Sequence, residues 1–326
     1  MRRKWIQWAV SAIFSAGVII WAVFVLDWPA VGRALAGAQW GWILLAVGLV
    51  FVTFITRVFR WQALFSPEKQ PETALFSALM IGQAVNYIVP ARAGDVTRAV
   101  LLNRMTGVDT TRTLGTVALE KLWDIAMLVL FTVGLGIFFP LPNWLIAPVR
   151  SVAIGLAAVG AVLAFFLWRQ SDVLAVVDRW GEHIFPTIYQ RVRKILSAAL
   201  DGFSTLRHPR PMAAAIFWSL MTWGAGAFIN VAVFRAVDVP LGAIPAVLLL
   251  IVLQVGVAVP SLPGRIGVFE GLVVVVLALF GVGYDTAFSY GLILHLAVFI
   301  PPIALAALLS FWVNGTTNFK ESITND

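Results

Sequence analysis

A chain of 326 residues that is 60% hydrophobic and 12% charged, with a mean hydropathy of +0.92, reads as an integral membrane protein, because soluble domains carry about 25% charged residues. The lack of cysteine excludes disulfides, thiolate metal sites and a cysteine nucleophile, and His183, His208 and His295 are too scattered for a zinc cluster. The net charge of +7 is spread along membrane-flanking loops, which points to topology and a lipid surface rather than nucleic acid.

Apolar runs of about eighteen residues or more argue for helices, since barrel strands would alternate over about 10. The first run, 5–26, follows Arg2, Arg3 and Lys4. It resembles a signal peptide, with Ala34-Leu35-Ala36 as a cleavage-like match, but it exceeds the usual core of about 7–15 residues and is read as a retained span. Residues 27–39 then form an outer loop. The second span, 40–59, ends on Arg57 and Arg60, which the positive-inside bias assigns to the cytoplasmic flank. Residues 66–71 make a polar turn.

Residues 73–89 are apolar but broken by Asn86 and Pro90, and 95–104 follows the break. Neither half is long enough to span, so the two are read as a re-entrant hairpin, tolerated where protein or a wet cavity satisfies its backbone. Residues 114–139 form the next span, closed by Pro140 and Pro142, and 145–168 returns to the cytoplasm. The polar region 170–210 interleaves Arg179, Arg191, Arg193, Lys194, Arg207 and Arg210 with apolar residues. It is read either as amphipathic helices on an anionic leaflet or as a solvated helical hairpin. Residues 212–234 span outward, 235–242 form an outer loop, and 244–259 is again apolar and stopped by Pro260 and Pro263. Residues 266–280 complete a second broken pair, 286–312 form the last span, and 314–326 are a frayed polar tail.

The fold class is therefore an all-α polytopic membrane protein with six full spans and two re-entrant half-helix hairpins. Sixteen basic residues fall on the cytoplasmic side against Arg33, Arg150 and Arg235 outside, which puts both termini in the cytoplasm. Arg92, Arg98, Lys121 and Arg265 fall within the membrane region. The breaks share a P-x-R-x-G pattern, Pro90-Ala91-Arg92-Ala93-Gly94 and Pro263-Gly264-Arg265-Ile266-Gly267. This recurrence divides the chain into inverted repeats, 1–142 and 143–314, the second holding the basic segment 170–210, with a tail at 315–326. Inverted repeats with discontinuous helices meeting at mid-depth are a transporter arrangement.

At each break proline ends the incoming half-helix, and Gly94, Gly264 and Gly267 permit a tight turn. Outgoing half-helices beginning near Asp95 and Ile266 present the positive ends of their dipoles. With Arg92 and Arg265 they form an anion trap, and a guanidinium fork suits phosphate. Both arginines also fit a scaffolding role, capping carbonyls or pairing with acids. Asp95 is read as the N-cap of its half-helix. Arg98 pairs with Asp95, reaches the cavity or snorkels to headgroups. Glu120 and Asp124 share a helix face; Arg92 and Arg98 are their expected partners, with proton carriage by one acid as the alternative. Lys121 points elsewhere and snorkels. Glu270 caps its helix or pairs with Arg265, and His295 is a hydrogen-bonded helix contact or a proton carrier. The tryptophans, among them Trp28, Trp40, Trp144 and Trp312, form an interfacial belt.

Three motifs in order, Asn86…Pro90-x-Arg92-x-Gly94-Asp95-x-x-Arg98, Thr116-Val117-x-x-Glu120-Lys121-x-x-Asp124 and Pro260-Ser261-x-Pro263-Gly264-x-x-Gly267-x-x-Glu270, resemble the flippase-like transmembrane domain of the lysylphosphatidylglycerol synthase/flippase family. The likeness implies a bacterial inner-membrane protein that moves an aminoacylated, glycosylated or hopanoid-pathway lipid between leaflets. No soluble synthase domain follows the last span, so the chain resembles the stand-alone members and lysyl transfer is not expected.

The expected function is thus a flippase for a lipid with an anionic headgroup, without cofactor or metal, either homo-oligomeric or with a lipid-biosynthesis partner. Asn86, Arg92, Asp95, Arg98, Glu120, Asp124, Arg265, Glu270 and His295 are the candidate substrate-binding residues, with Pro90, Gly94, Pro263, Gly264 and Gly267 as turns. An intramembrane enzyme acting on a lipid phosphate and a non-transporting assembly partner are the alternatives.

Overall fold

The structure, a computed structural model, describes residues 24, 26–88, 93–168, 208–256 and 263–324. Nearly all of the expected first span 5–26 and of the basic segment 170–210, together with Pro90, Arg92 and Pro260, lie outside the described residues. Every regular element among those described is helical, as sequences with apolar residues on all sides require in lipid, where each backbone polar group must be satisfied within its own segment.

Helix α1, Trp28–Ala36, replaces the outer loop expected at 27–39. Asp27 caps it by accepting the Ala30 N–H at 3.3 Å, a proline stands in its first turn, and Val31 is buried beneath it. These local start signals outweigh the short length. Helix α2, Trp40–Leu64, continues past the expected end at 59. Arg57 and Arg60 do not mark the water boundary there: Arg60 is fully buried, and Trp61 and Leu64 extend the inward stripe begun by Ala46, Val50 and Phe54.

Helices α3, Glu72–Ile88, and α4, Ala93–Thr106, form the first short pair. With 17 and 14 residues they reach about 25 and 21 Å at a rise of 1.5 Å per residue, short of a hydrocarbon core about 30 Å thick. Glycine lets them cross backbone on backbone: a Cβ added to Gly82 would lie 2.7 Å from the Gly94 carbonyl, and one added to Gly94 would collide with the Gly82 carbonyl. Asn86 Oδ1 also accepts the Gly94 N–H at 2.9 Å. Helix α4 starts at Ala93, so Asp95 lies inside its first turn and is not the N-cap expected.

Helix α5, Thr110–Phe138, is capped by Asp109, whose Oδ1 accepts the Thr111 N–H at 2.7 Å and the Arg112 N–H at 3.3 Å. Helix α6, Asn143–Trp168, follows Pro140 and Pro142, and α7 covers Pro209–Ala236. The second short pair is α8, Ala243–Gly256, and α9, Val268–Ala278, with a single 3-10 turn at Pro263–Arg265 ahead of α9. Helix α10, Tyr284–Thr324, runs through the stretch expected to fray, where no proline interrupts it. Four described helices are long and apolar enough to cross a membrane: Trp40–Leu64, Thr110–Phe138, Pro209–Ala236 and Tyr284–Phe311.

Helices α2 and α7 run antiparallel along their length. The Gln39 N–H donates to the Ala236 carbonyl at 2.8 Å, the Thr56 and Thr222 hydroxyls share a hydrogen bond at 2.8 Å, and Phe59 stacks on Trp218 with centroids 4.9 Å apart. At the end of the bundle holding Gln39, the Asp27 N–H donates to Asp285 at the start of α10. At the other end Arg112 pairs with Glu68. The pair α3/α4 opens beside Glu68, whereas α8/α9 opens at the end of Gln39, where Phe280 meets Phe139 at 5.4 Å. The two short pairs therefore enter from opposite ends and meet inside: α3 packs against the Pro263–Arg265 turn, and Tyr87 lies 4.3 Å from the Phe299 ring. Asn230 of α7 ties the second pair in place, donating to the Ala246 carbonyl at 2.9 Å while its own carbonyl accepts the Tyr290 hydroxyl at 3.1 Å.

Backbone contact at Gly82 and Gly94 makes the first pair intolerant of side chains. Gly94→Ala should destabilise the protein by about 1–3 kcal/mol, as overpacking does, and lower the thermal midpoint in detergent. Gly48→Ala, with open space around it, should leave that midpoint unchanged; equal midpoints for the two variants would show that the pair does not cross here.

Candidate functional site

The charged residues of α2, α4 and α5 converge on one carboxylate. Glu120, fully buried on α5, accepts Arg57 Nη2 at 3.2 Å and Arg60 Nη2 at 3.1 Å on Oε1, and Arg98 Nη2 at 2.6 Å on Oε2. Arg60 Nη1 also donates to Asp124 Oδ1 at 2.6 Å and to Ser219 Oγ of α7 at 3.4 Å. The Arg98 guanidinium lies 4.7 Å over the Trp61 ring, whose Nε1–H donates to Thr116 Oγ1 at 2.9 Å. Charge-assisted bonds and a cation–π contact thus offset the cost of placing these groups away from water.

The cluster has more donors than acceptors. Three guanidiniums face two carboxylates, and the Nε–H groups of Arg60 and Arg98 are buried without an acceptor among the described residues. Arg57 is the arginine at the rim, with 17% of its side chain exposed against 0% for Arg60 and 3% for Arg98. Its Nη1 donates to Gln83 Oε1 at 3.4 Å. Tyr87, one turn further along α3, lies within Coulombic reach of both Arg57 and Arg265. The charge of Arg57 is therefore felt on the same tyrosine as that of Arg265, on the corner of the second short pair.

The structure sorts the remaining candidates. Asp95 Oδ1 accepts Asn86 Nδ2 at 3.3 Å and pairs with Lys121 Nζ at 3.4 Å. Lys121 therefore does not snorkel: the first turn of α4 brings a carboxylate within its reach. Arg98 selects Glu120 rather than Asp95. Asp124 pairs with Arg60, a partner the sequence pattern did not suggest, and Arg92 lies outside the described residues. Arg57 and Arg60 are the residues that sequence reasoning missed. The available signal was their helical register with Phe54, Trp61 and Leu64, which continues the buried stripe through two charges.

Glu270 and His295 form a separate pair on α9 and α10. Glu270 Oε2 accepts the Gly267 N–H at 2.8 Å, capping its own helix, and Oε1 lies 2.5 Å from His295 Nδ1. Glu270 thus caps, as one of its two expected roles, and its side-chain partner is His295. The rings of Phe269 and Phe299 lie 4.9 and 4.3 Å from the imidazole, and Phe299 in turn meets Tyr87 on the side of the arginine cluster.

Comparison with known proteins gives a consistent outcome. Residues 8–306 match the sequence model of the lysylphosphatidylglycerol synthase TM region. Two UPF0104 membrane proteins of Methanothermobacter thermautotrophicus are similar over nearly their whole length. One is 23% identical over 330 positions, covering 94% of this chain and 91% of the relative, and the other 24% identical over 329 positions, covering 93% and 92%.

If Glu120 is the centre of the cluster, Glu120→Gln should destabilise the protein by roughly 3–5 kcal/mol, the cost of leaving buried charges without their partner. Asp124→Asn should lower the thermal midpoint in detergent less, because Asp124 is 30% exposed and bound by one arginine. The reverse order of midpoints would place the centre elsewhere.

Proposed function

Because this chain belongs to the lysylphosphatidylglycerol synthase transmembrane-region family, we propose that it is a lipid carrier, moving an anionic, phosphate-bearing lipid between the leaflets of a cytoplasmic membrane. The observation that carries this reading is the excess of guanidinium donors around Glu120, beside the first of two short helix pairs that enter from opposite ends of the bundle. A headgroup phosphate supplies the acceptors that such a site lacks. Arg57 at the rim and Arg265 on the facing corner are its first contacts, while the acyl chains stay in the bilayer.

Glu120 and Asp124 keep the arginines oriented and compensate part of their charge. Both carboxylates are engaged by guanidiniums rather than poised to take a substrate proton, which favours a carrier over an intramembrane enzyme. The short pairs act as re-entrant hairpins of inverted repeats, so that rocking of one against the other exposes the site to each leaflet in turn. The termini lie in the cytoplasm, as the distribution of basic residues favours.

The test is translocation of headgroup-labelled phosphatidylglycerol in proteoliposomes. Arg57→Ala and Arg265→Ala should each slow it about ten- to hundredfold, the worth of a hydrogen bond to a charged group, and Arg57→Lys should retain part of the rate. Both alanine variants should elute and melt as folded protein. Folded variants that translocate at the wild-type rate would refute the assignment.

A further inference from the structure

Outside the arginine cluster, one buried ionisable pair holds a backbone corner in place. Glu270 and His295 are 5% and 9% exposed, and each carboxylate oxygen of Glu270 has one partner, the Gly267 N–H and the imidazole Nδ1. The corner it caps is costly in itself. Gly264, Arg265 and Gly267 have φ of 72°, 60° and 86°, and Arg265 occupies a left-handed conformation that a side chain disfavours. Such a conformation persists only where surrounding contacts hold it, and the Glu270 carboxylate is one of those contacts.

Among the described residues, the ionisable groups nearest this pair come from two directions. Arg265 is on the same corner, and Tyr87 of α3 lies behind Phe299 with Arg57 of α2 beyond it. Helix α8 contributes no titratable residue. Tyr290 of α10 turns its hydroxyl to Asn230 of α7, and Asp285 lies at the far end of α10 beside the Asp27 N–H.

We infer that Glu270 and His295 form a proton-binding site whose occupancy sets the position of the Pro263–Gly267 corner, making the proton the coupling ion of the carrier. With a neutral imidazole, Nδ1–H donates to the ionised carboxylate and the pair carries one net negative charge. A proton from water then adds to Nε2, forming one N–H bond and leaving an imidazolium–carboxylate pair of zero net charge. Two consequences follow from that neutralisation. The pair no longer places a net negative charge behind the corner, and the imidazolium draws carboxylate charge away from the Gly267 N–H. The corner loosens, and Arg265, which it carries, moves with it.

The coupling rests on the carrier reading, but the proton site does not, and the two are separated by experiment. The chain has no cysteine, so Ile266→Cys and Val96→Cys, at exposed positions on the corner and on α4, accept spin labels selectively. Without any lipid substrate, the distance between labels should shift to a second population between about pH 8 and pH 5, and the shift should vanish in Glu270→Gln and in His295→Asn. In proteoliposomes, an imposed gradient of one pH unit should drive about a tenfold leaflet asymmetry of labelled phosphatidylglycerol for one proton per lipid. The two variants should equilibrate the lipid without asymmetry. A pH-independent label distance, or wild-type transport indifferent to the gradient, would overturn the inference. If no lipid moves at all, the carrier reading falls, the proposed coupling falls with it, and the label distance alone decides whether the pair is a proton site.

Discussion

A carboxylate shut off from water and bound by three guanidiniums is the constraint on which the bundle depends. Glu120 draws Arg57 and Arg60 of α2 and Arg98 of α4 onto α5, so three helices are held in register by one side chain. In lipid, apolar burial gives no net drive for helix to pack on helix, and polar bonds and close packing decide which surfaces meet. The cluster supplies the bonds, and Trp61, wedged beneath Arg98 and bonded to Thr116, supplies the packing. Ser219 brings α7 to the same centre through Arg60.

The same arrangement limits what the site can be. A cluster balanced charge for charge would be inert, as many buried ion pairs are. Here the surplus is on the cationic side, and the most exposed of its arginines, Arg57, bonds Gln83 of α3, the helix against which the corner of the other pair packs. Electrostatics and topology therefore point to one place, the interior junction of two elements that approach from opposite ends. The Glu270–His295 pair stands beside that junction without entering it, joined by a ladder of aromatic rings through Phe299 and Tyr87.

Much of the architecture was legible from hydropathy and proline. The long segments around 114–139 and 212–234, both interruptions and the pairing of Arg98 with Glu120 all follow from apolar length, breakers and the need to neutralise charge. Arg57 and Arg60 were not legible in the same way, because an arginine near the end of a span looks identical whether it faces headgroups or a buried acid, and the positive-inside pattern favours the former. Helix α1 was overlooked for a related reason: its length is that of a loop, and only the Asp27 cap and the proline beside it announce a helix. Lys121 failed because its partner, Asp95, is distant in sequence and adjacent only after the first pair has folded.

The close crossing of α3 and α4 sets the first short pair apart from the second. Where Gly82 meets Gly94 the facing atoms are carbonyl and α-carbon, and no intervening group can yield. At the comparable approach in the second pair, Gly256 faces the tip of Leu272, a branched chain able to rotate aside. The two short pairs are thus packed unequally, the first as a stiff backbone crossing and the second against a side chain that can give way.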